Sequence, residues 1–115
     1  MIDTTIAPVE SATLNELKDI LDDEFPLLVN TYIQDVDQRM ARLRNAIGAA
    51  DPAEVKAEAH ALKGSSRNLG VNPLGELFAR LETLGKSGEL AGASELLPAI
   101  EKELARAQEF LRAQI

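Results

Sequence analysis

The sequence predicts an all-α fold: an up-down-up-down four-helix bundle with a short extra N-terminal helix. Three observations lead there. Apolar residues recur at steps of three and four, and no segment alternates with the period of a strand. Asp-Pro, Asn-Pro and glycine signals divide the periodic segments into helices of ordinary length. The joining loops are short, which makes consecutive helices antiparallel neighbours.

Residues 1–10, MIDTTIAPVE, show no clear period and are expected to form a flexible tail, with the domain over 11–115. In SATLNELKDILDDE, Leu14, Leu17, Ile20 and Leu21 fall at helical spacing and predict a short first helix capping one end. Phe25-Pro26 marks a new start, because proline suits a first helical turn. From there Val29, Ile33, Val36, Met40, Leu43 and Ile47 form one stripe along a long helix, closed by Gly48 and AADP. Asp51-Pro52 reads as N-cap and first residue of the next helix, which carries His60 and ends near Gly70. Asn72-Pro73 repeats the signal, and Leu74, Leu77, Phe78, Leu81 and Leu84 point inward until GKSGEL. The last helix buries Ala93, Leu97, Ile100, Leu104, Ala107 and Leu111. Pro98 inside that run is expected to kink the helix or to mark its start.

Composition narrows the function classes. The chain has 115 residues, 45% of them hydrophobic, enough for one domain with a real core. Aromatics are only 3%, so Leu, Ile, Val and Ala must build that core. Twelve basic against nineteen acidic residues leave a net charge of −7, which argues against nucleic acid as the main partner. The absence of cysteine excludes disulfides, zinc-thiolate sites and thiol catalysis. No stretch approaches the ~20 apolar residues of a membrane span. No signal peptide is visible, so the expected location is the cytoplasm.

The stretch HALKGSSRNLG, residues 60–70, holds the only histidine. Advancing roughly 100° per residue, Ala59, Leu62, Ser66 and Leu69 share the buried stripe of Val55. Ser66 fits there because it is small and can bond a carbonyl one turn back. Lys56, His60, Lys63, Gly64 and Arg67 lie together on an outward face. A mid-helix glycine costs about 1 kcal/mol relative to alanine, so Gly64 needs a reason. It stands one turn beyond His60 on the same face, where the missing side chain clears space beside the imidazole. Lys63 and Arg67 are within reach of an anion in that space. An exposed imidazole, a cleared approach and flanking cations suit a group that receives a phosphoryl from a bulky donor. The bland reading is a lone surface histidine on a solvated face, with Gly64 serving close helix packing. The full string weighs against it.

That string resembles the signature of histidine-containing phosphotransfer (HPt) domains. It has His, two residues, Lys-Gly, two small residues, two variable ones, then an apolar residue and Gly. TYIQDVDQRMARLRNAIGAAD resembles the long helix before that site, and LGELFARLETLGKSGEL the helix after it. The resemblance implies that His60 is phosphorylated, through Nε2, and that Lys63 stabilises the phosphoryl group while Gly64 keeps the approach open. It places Glu82 where the family has Glu or Gln accepting from the other ring nitrogen, which would fix the tautomer. Arg67, Lys86 and Ser65 are weaker members of the same set.

The function so implied is a phosphocarrier and not an enzyme. A receiver domain bearing phosphoaspartate docks on the His60 face, and the phosphoryl passes to His60 and then to a second receiver. The implied partners are receivers of a hybrid sensor histidine kinase and of a response regulator. The chain is expected to be a free-standing monomer with no cofactor or metal of its own, any Mg²⁺ belonging to the receiver. Helices two and three, near Arg42, Lys56 and the His60 end, are the expected docking surface. LGKSGE is not a phosphate-binding loop, because Arg80 stands where its first glycine would be, and H-E-x-x-H is absent. Two other classes stay open: a helical scaffold that binds a regulator without phosphotransfer, and an enzyme with His60 as general base.

Overall fold

In the computed structural model, which describes residues 6–115, five α-helices follow one another and no strand occurs among the described residues. They are α1 Ser11–Leu21, α2 Phe25–Gly48, α3 Pro52–Asn68, α4 Asn72–Ser87 and α5 Ala93–Arg112. One 3-10 turn, Asp22–Glu24, joins α1 to α2, with Asp22 at φ 49° ending α1. Helix α2 packs on α3 and α5, and α4 on α3 and α5, so four helices close a ring. The fold matches the sequence expectation of a four-helix bundle with one extra helix.

The apolar stripes form the core. Val29, Val36, Met40 and Leu43 of α2 meet Val55, Ala59 and Leu62 of α3, Leu74, Leu77, Phe78 and Leu81 of α4, and Ile100, Ala107 and Leu111 of α5. Asp51 caps α3, its Oδ1 accepting from Glu54 N–H at 3.2 Å. Helix α3 ends in a Schellman turn: Gly70 (φ 77°) donates to Arg67 O at 3.0 Å, and Val71 donates to Ser66 O at 2.8 Å.

Several expectations need correction. Residues 1–5 lie outside the described residues, but residues 6–10 are no loose tail. Val9 is fully buried, Glu10 N–H donates to Gly70 O at 2.8 Å, and Arg106 Nη2 donates to Ile6 O at 2.8 Å. Burying Val9 contributes on the order of 1.5–3 kcal/mol, a contact that no periodicity announces. Ile20, one of the four residues at helical spacing that predict α1, lies in that helix but is 74% exposed and takes no part in the core. Asn72 does not cap α4: its amide reaches Glu10 Oε2 at 3.2 Å. Pro98 does not start α5, which begins at Ala93 after Gly92 at φ 89°. Ser66 bonds the Tyr32 hydroxyl at 2.8 Å, where a carbonyl one turn back had been expected. Burial pushes the Tyr32 phenol up to about 12.

The α3–α4 contact is the most extensive in the bundle, and two glycines permit it. A Cβ on Gly85 would lie 2.7 Å from the Lys56 backbone nitrogen, and one on Gly75 would lie 3.0 Å from Arg67 Cγ. Gly85→Ala would therefore force backbone apart. The overpacking cost of about 1–3 kcal/mol outweighs the helix-propensity gain of about 1 kcal/mol. The variant is expected to show a lower urea midpoint than wild type, whereas an equal or higher midpoint would mean the two helices have slack there.

Candidate functional site

Helix α3 presents His60 and Gly64 to solvent with half-buried Lys63 beside them, and α4 brings Glu82 beneath. The register follows from the glycine contact just described. Gly85 sits against Lys56, one turn before His60, so Glu82, three residues before Gly85, arrives under the imidazole. Phe78 and Leu81, fully buried on the same helix, hold that approach.

Glu82 is the hub. Its side chain is only 6% exposed, while that of His60 is 69% exposed and that of Lys63 22%. His60 Nδ1 lies 2.8 Å from Glu82 Oε2, and Lys63 Nζ lies 2.5 Å from Glu82 Oε1. Lys86 adds a longer contact, Nζ to Oε2 at 3.7 Å, from the next turn of α4. A buried charge persists only when paired and hydrogen-bonded, and these partners meet that demand. The Lys63 hydrogen bond, helped by that of His60 and opposed by burial, brings the Glu82 carboxyl down from 4.5 to about 2. An ionised carboxylate only accepts, so Nδ1 carries the hydrogen and donates it. The Nε2 lone pair is then left on the exposed side of the ring.

Gly64 is the second element. A Cβ there would meet nothing within 4 Å. Close helix packing is therefore not its reason. The chain leaves space open beside His60 at a helix-propensity cost of about 1 kcal/mol.

The remaining expected residues divide. Lys86 joins the cluster. Arg67 lies across Gly75, away from the Glu82 carboxylate. Ser65 donates to Leu62 O at 3.3 Å and lines a different groove, between α1, α2 and α3, with Leu28, Tyr32 and Leu69. Exposed Asn68, which fits neither face of the helical wheel, borders that groove too. Lys56 lines a cleft with Ala53, Ala57, His60, Glu82 and Lys86. Sequence reasoning missed two buried carboxylates elsewhere. Glu58 meets Arg39 Nη1 at 3.0 Å, and Glu103 meets Arg106 Nη1 at 2.6 Å. Only the i, i+3 spacing of Glu103 and Arg106 carried a signal. Among the described residues no group of three or more His, Cys, Asp or Glu side chains is placed to hold a metal ion.

The lowered Glu82 pKa carries a pH consequence. The stabilisation is complete above 4.5 and is lost as pH falls from there toward 2. Glu82→Gln is expected to be less stable than wild type at neutral pH, with a shallower loss across that acid window. Denaturation at several pH values checks this, and parallel acid limbs for the two proteins would contradict it.

The profile of the Hpt domain family matches residues 27–110. The chain is 29% identical over 77 residues to the phosphorelay intermediate protein rdeA of Dictyostelium discoideum. That match spans 67% of this chain but only 30% of the relative. The crystal structure of histidine-containing phosphotransfer protein B (HptB) from Pseudomonas aeruginosa PAO1 superposes with a TM-score of 0.90. It is 29% identical, with 93% of each chain covered. With an all-helical bundle, an exposed histidine held by a buried carboxylate, and a family match over most of its length, this chain belongs to the Hpt domain family.

Proposed function

We propose that His60 is the phosphorylated residue, accepting a phosphoryl group from a receiver-domain phosphoaspartate and passing it to an aspartate on a second receiver. The observation that carries this reading is the exposed imidazole with its Nδ1–H held by a buried carboxylate. In the forward step the Nε2 lone pair forms the N–P bond, the P–O bond to the donor aspartate breaks, and that oxygen leaves as carboxylate. The ring keeps its Nδ1 hydrogen, and Glu82 faces the positive charge that develops there. Lys63 supplies charge to the phosphoryl oxygens, and Gly64 admits the donor. The second transfer reverses these bond changes with a new aspartate.

The chain contributes positioning and cations, with no catalytic set of its own. Any Mg²⁺ is assigned to the receiver. The donor and acceptor are receivers of a hybrid sensor kinase and of a response regulator, and the carrier acts as a cytoplasmic monomer. Among the described residues no helix is long and apolar enough to cross a membrane. For docking we assign the α2–α3 face. The apolar groove at Leu28, Tyr32 and Leu69 opens beside the His60 helix, and Leu27 on α2 is 68% exposed.

Phosphorylated receivers tested against wild type and His60→Gln provide the direct check. Label is expected on wild type alone, and it should survive alkali but not acid. Equal label on both proteins, or acid-stable label, would sink the assignment. Gly64→Ala, which meets no neighbour, should fold with up to about 1 kcal/mol more stability and yet accept phosphoryl about tenfold more slowly or worse.

A further inference from the structure

Lys63 does not extend over open solvent. Its ammonium is bonded to Glu82 Oε1 at 2.5 Å and its side chain is 22% exposed. The group given the task of meeting a phosphoryl is thus already engaged. A phosphoryl group on Nε2 would bring about −1.5 to −2 of charge and three strong acceptor oxygens to the same face. Glu82 offers one negative charge, already shared between the His60 and Lys63 hydrogen bonds. Lys63 lies at i+3 from His60 on a flexible four-carbon stem, so both anions are within its reach. Its departure would leave Glu82 buried with its charge facing one ring N–H, an arrangement that buried charge does not tolerate.

The structure holds a replacement. Lys86 Nζ stands 3.7 Å from Glu82 Oε2, beyond normal hydrogen-bond length, and its side chain is 59% exposed. It sits one turn from Glu82 on the same helix, so a change of side-chain rotamer alone can close the gap.

We propose that phosphorylation of His60 exchanges the two lysines on Glu82: Lys63 moves to the phosphoryl oxygens, and Lys86 closes onto the carboxylate. This rests on the reading that His60 is the phosphorylated residue. The exchange breaks no covalent bond and moves no proton. Lys86 is then a positioning residue. It acts through Glu82, keeping the carboxylate ionised and the Nδ1–H bonded while Lys63 is occupied.

The test uses the full chain with ¹⁵N-labelled lysine, charged by a receiver domain that has itself been phosphorylated with acetyl phosphate and Mg²⁺. On charging, the Lys63 ammonium signals should shift and show contact to ³¹P, and the Lys86 ammonium protons should become protected from exchange. Lys86→Met should shorten the lifetime of the phosphorylated state about threefold, the scale of one partly exposed charge pair, and Lys86→Arg should restore it. Unchanged Lys63 signals in the charged protein would overturn the exchange, as would equal lifetimes for Lys86→Met and wild type. A wild-type chain that takes no phosphoryl on His60 would overturn the underlying reading and the exchange together.

Discussion

The Glu82 carboxylate, buried between α3 and α4, organises everything that surrounds it at the site. It can be charged there only because His60 and Lys63 bring hydrogen-bond donors to both oxygens. Those donors sit on one helix and the carboxylate on another, so the interaction demands that the two backbones lie close. Gly85 against Lys56 and Gly75 beneath Arg67 supply that closeness, and the buried Phe78 and Leu81 hold it. A large part of α4 is thereby committed to placing one carboxylate under one imidazole.

Three glycines serve three separate demands. Gly85 lets backbone meet backbone, Gly70 adopts the left-handed conformation that ends α3, and Gly64 faces empty space. Only the last cannot be explained by the fold. Gly70 meets a further constraint as well. A Cβ there would lie 3.0 Å from Thr13 Cβ and 3.3 Å from Glu10 Cβ, because the start of α1 and the residue before it cross over the α3–α4 turn. With Lys18 bonded to Gln114 at 2.5 Å, α1 ties down the bundle end where α3 and α5 stop and α4 begins.

Helix order, the buried stripes and the outward face of His60 were legible because local periodicity and capping chemistry encode them. The resemblance around His60 pointed to Glu82 as the partner of the ring, and the structure brings His60, Lys63 and Glu82 together. What was not legible depends on contacts between distant residues. Val9 lies outside any repeat, and its burial follows from the path of the chain over Gly70. Ser66 finds Tyr32 thirty-four residues earlier. The resemblance groups Ser65 with the site residues, and only the position of α2 shows that it borders another groove. Gly85 reads as a simple helix terminator until Lys56 is seen against it.

The central claim is that Glu82 fixes the tautomer of His60 and leaves Nε2 as the nucleophile. Long-range ¹H–¹⁵N correlation of the unphosphorylated chain, at a pH where the ring is neutral, tests it most directly. The predicted spectrum has a protonated Nδ1 and a pyridine-type Nε2, a preference that Glu82→Ala removes. A wild-type ring protonated mainly at Nε2 would contradict the assignment.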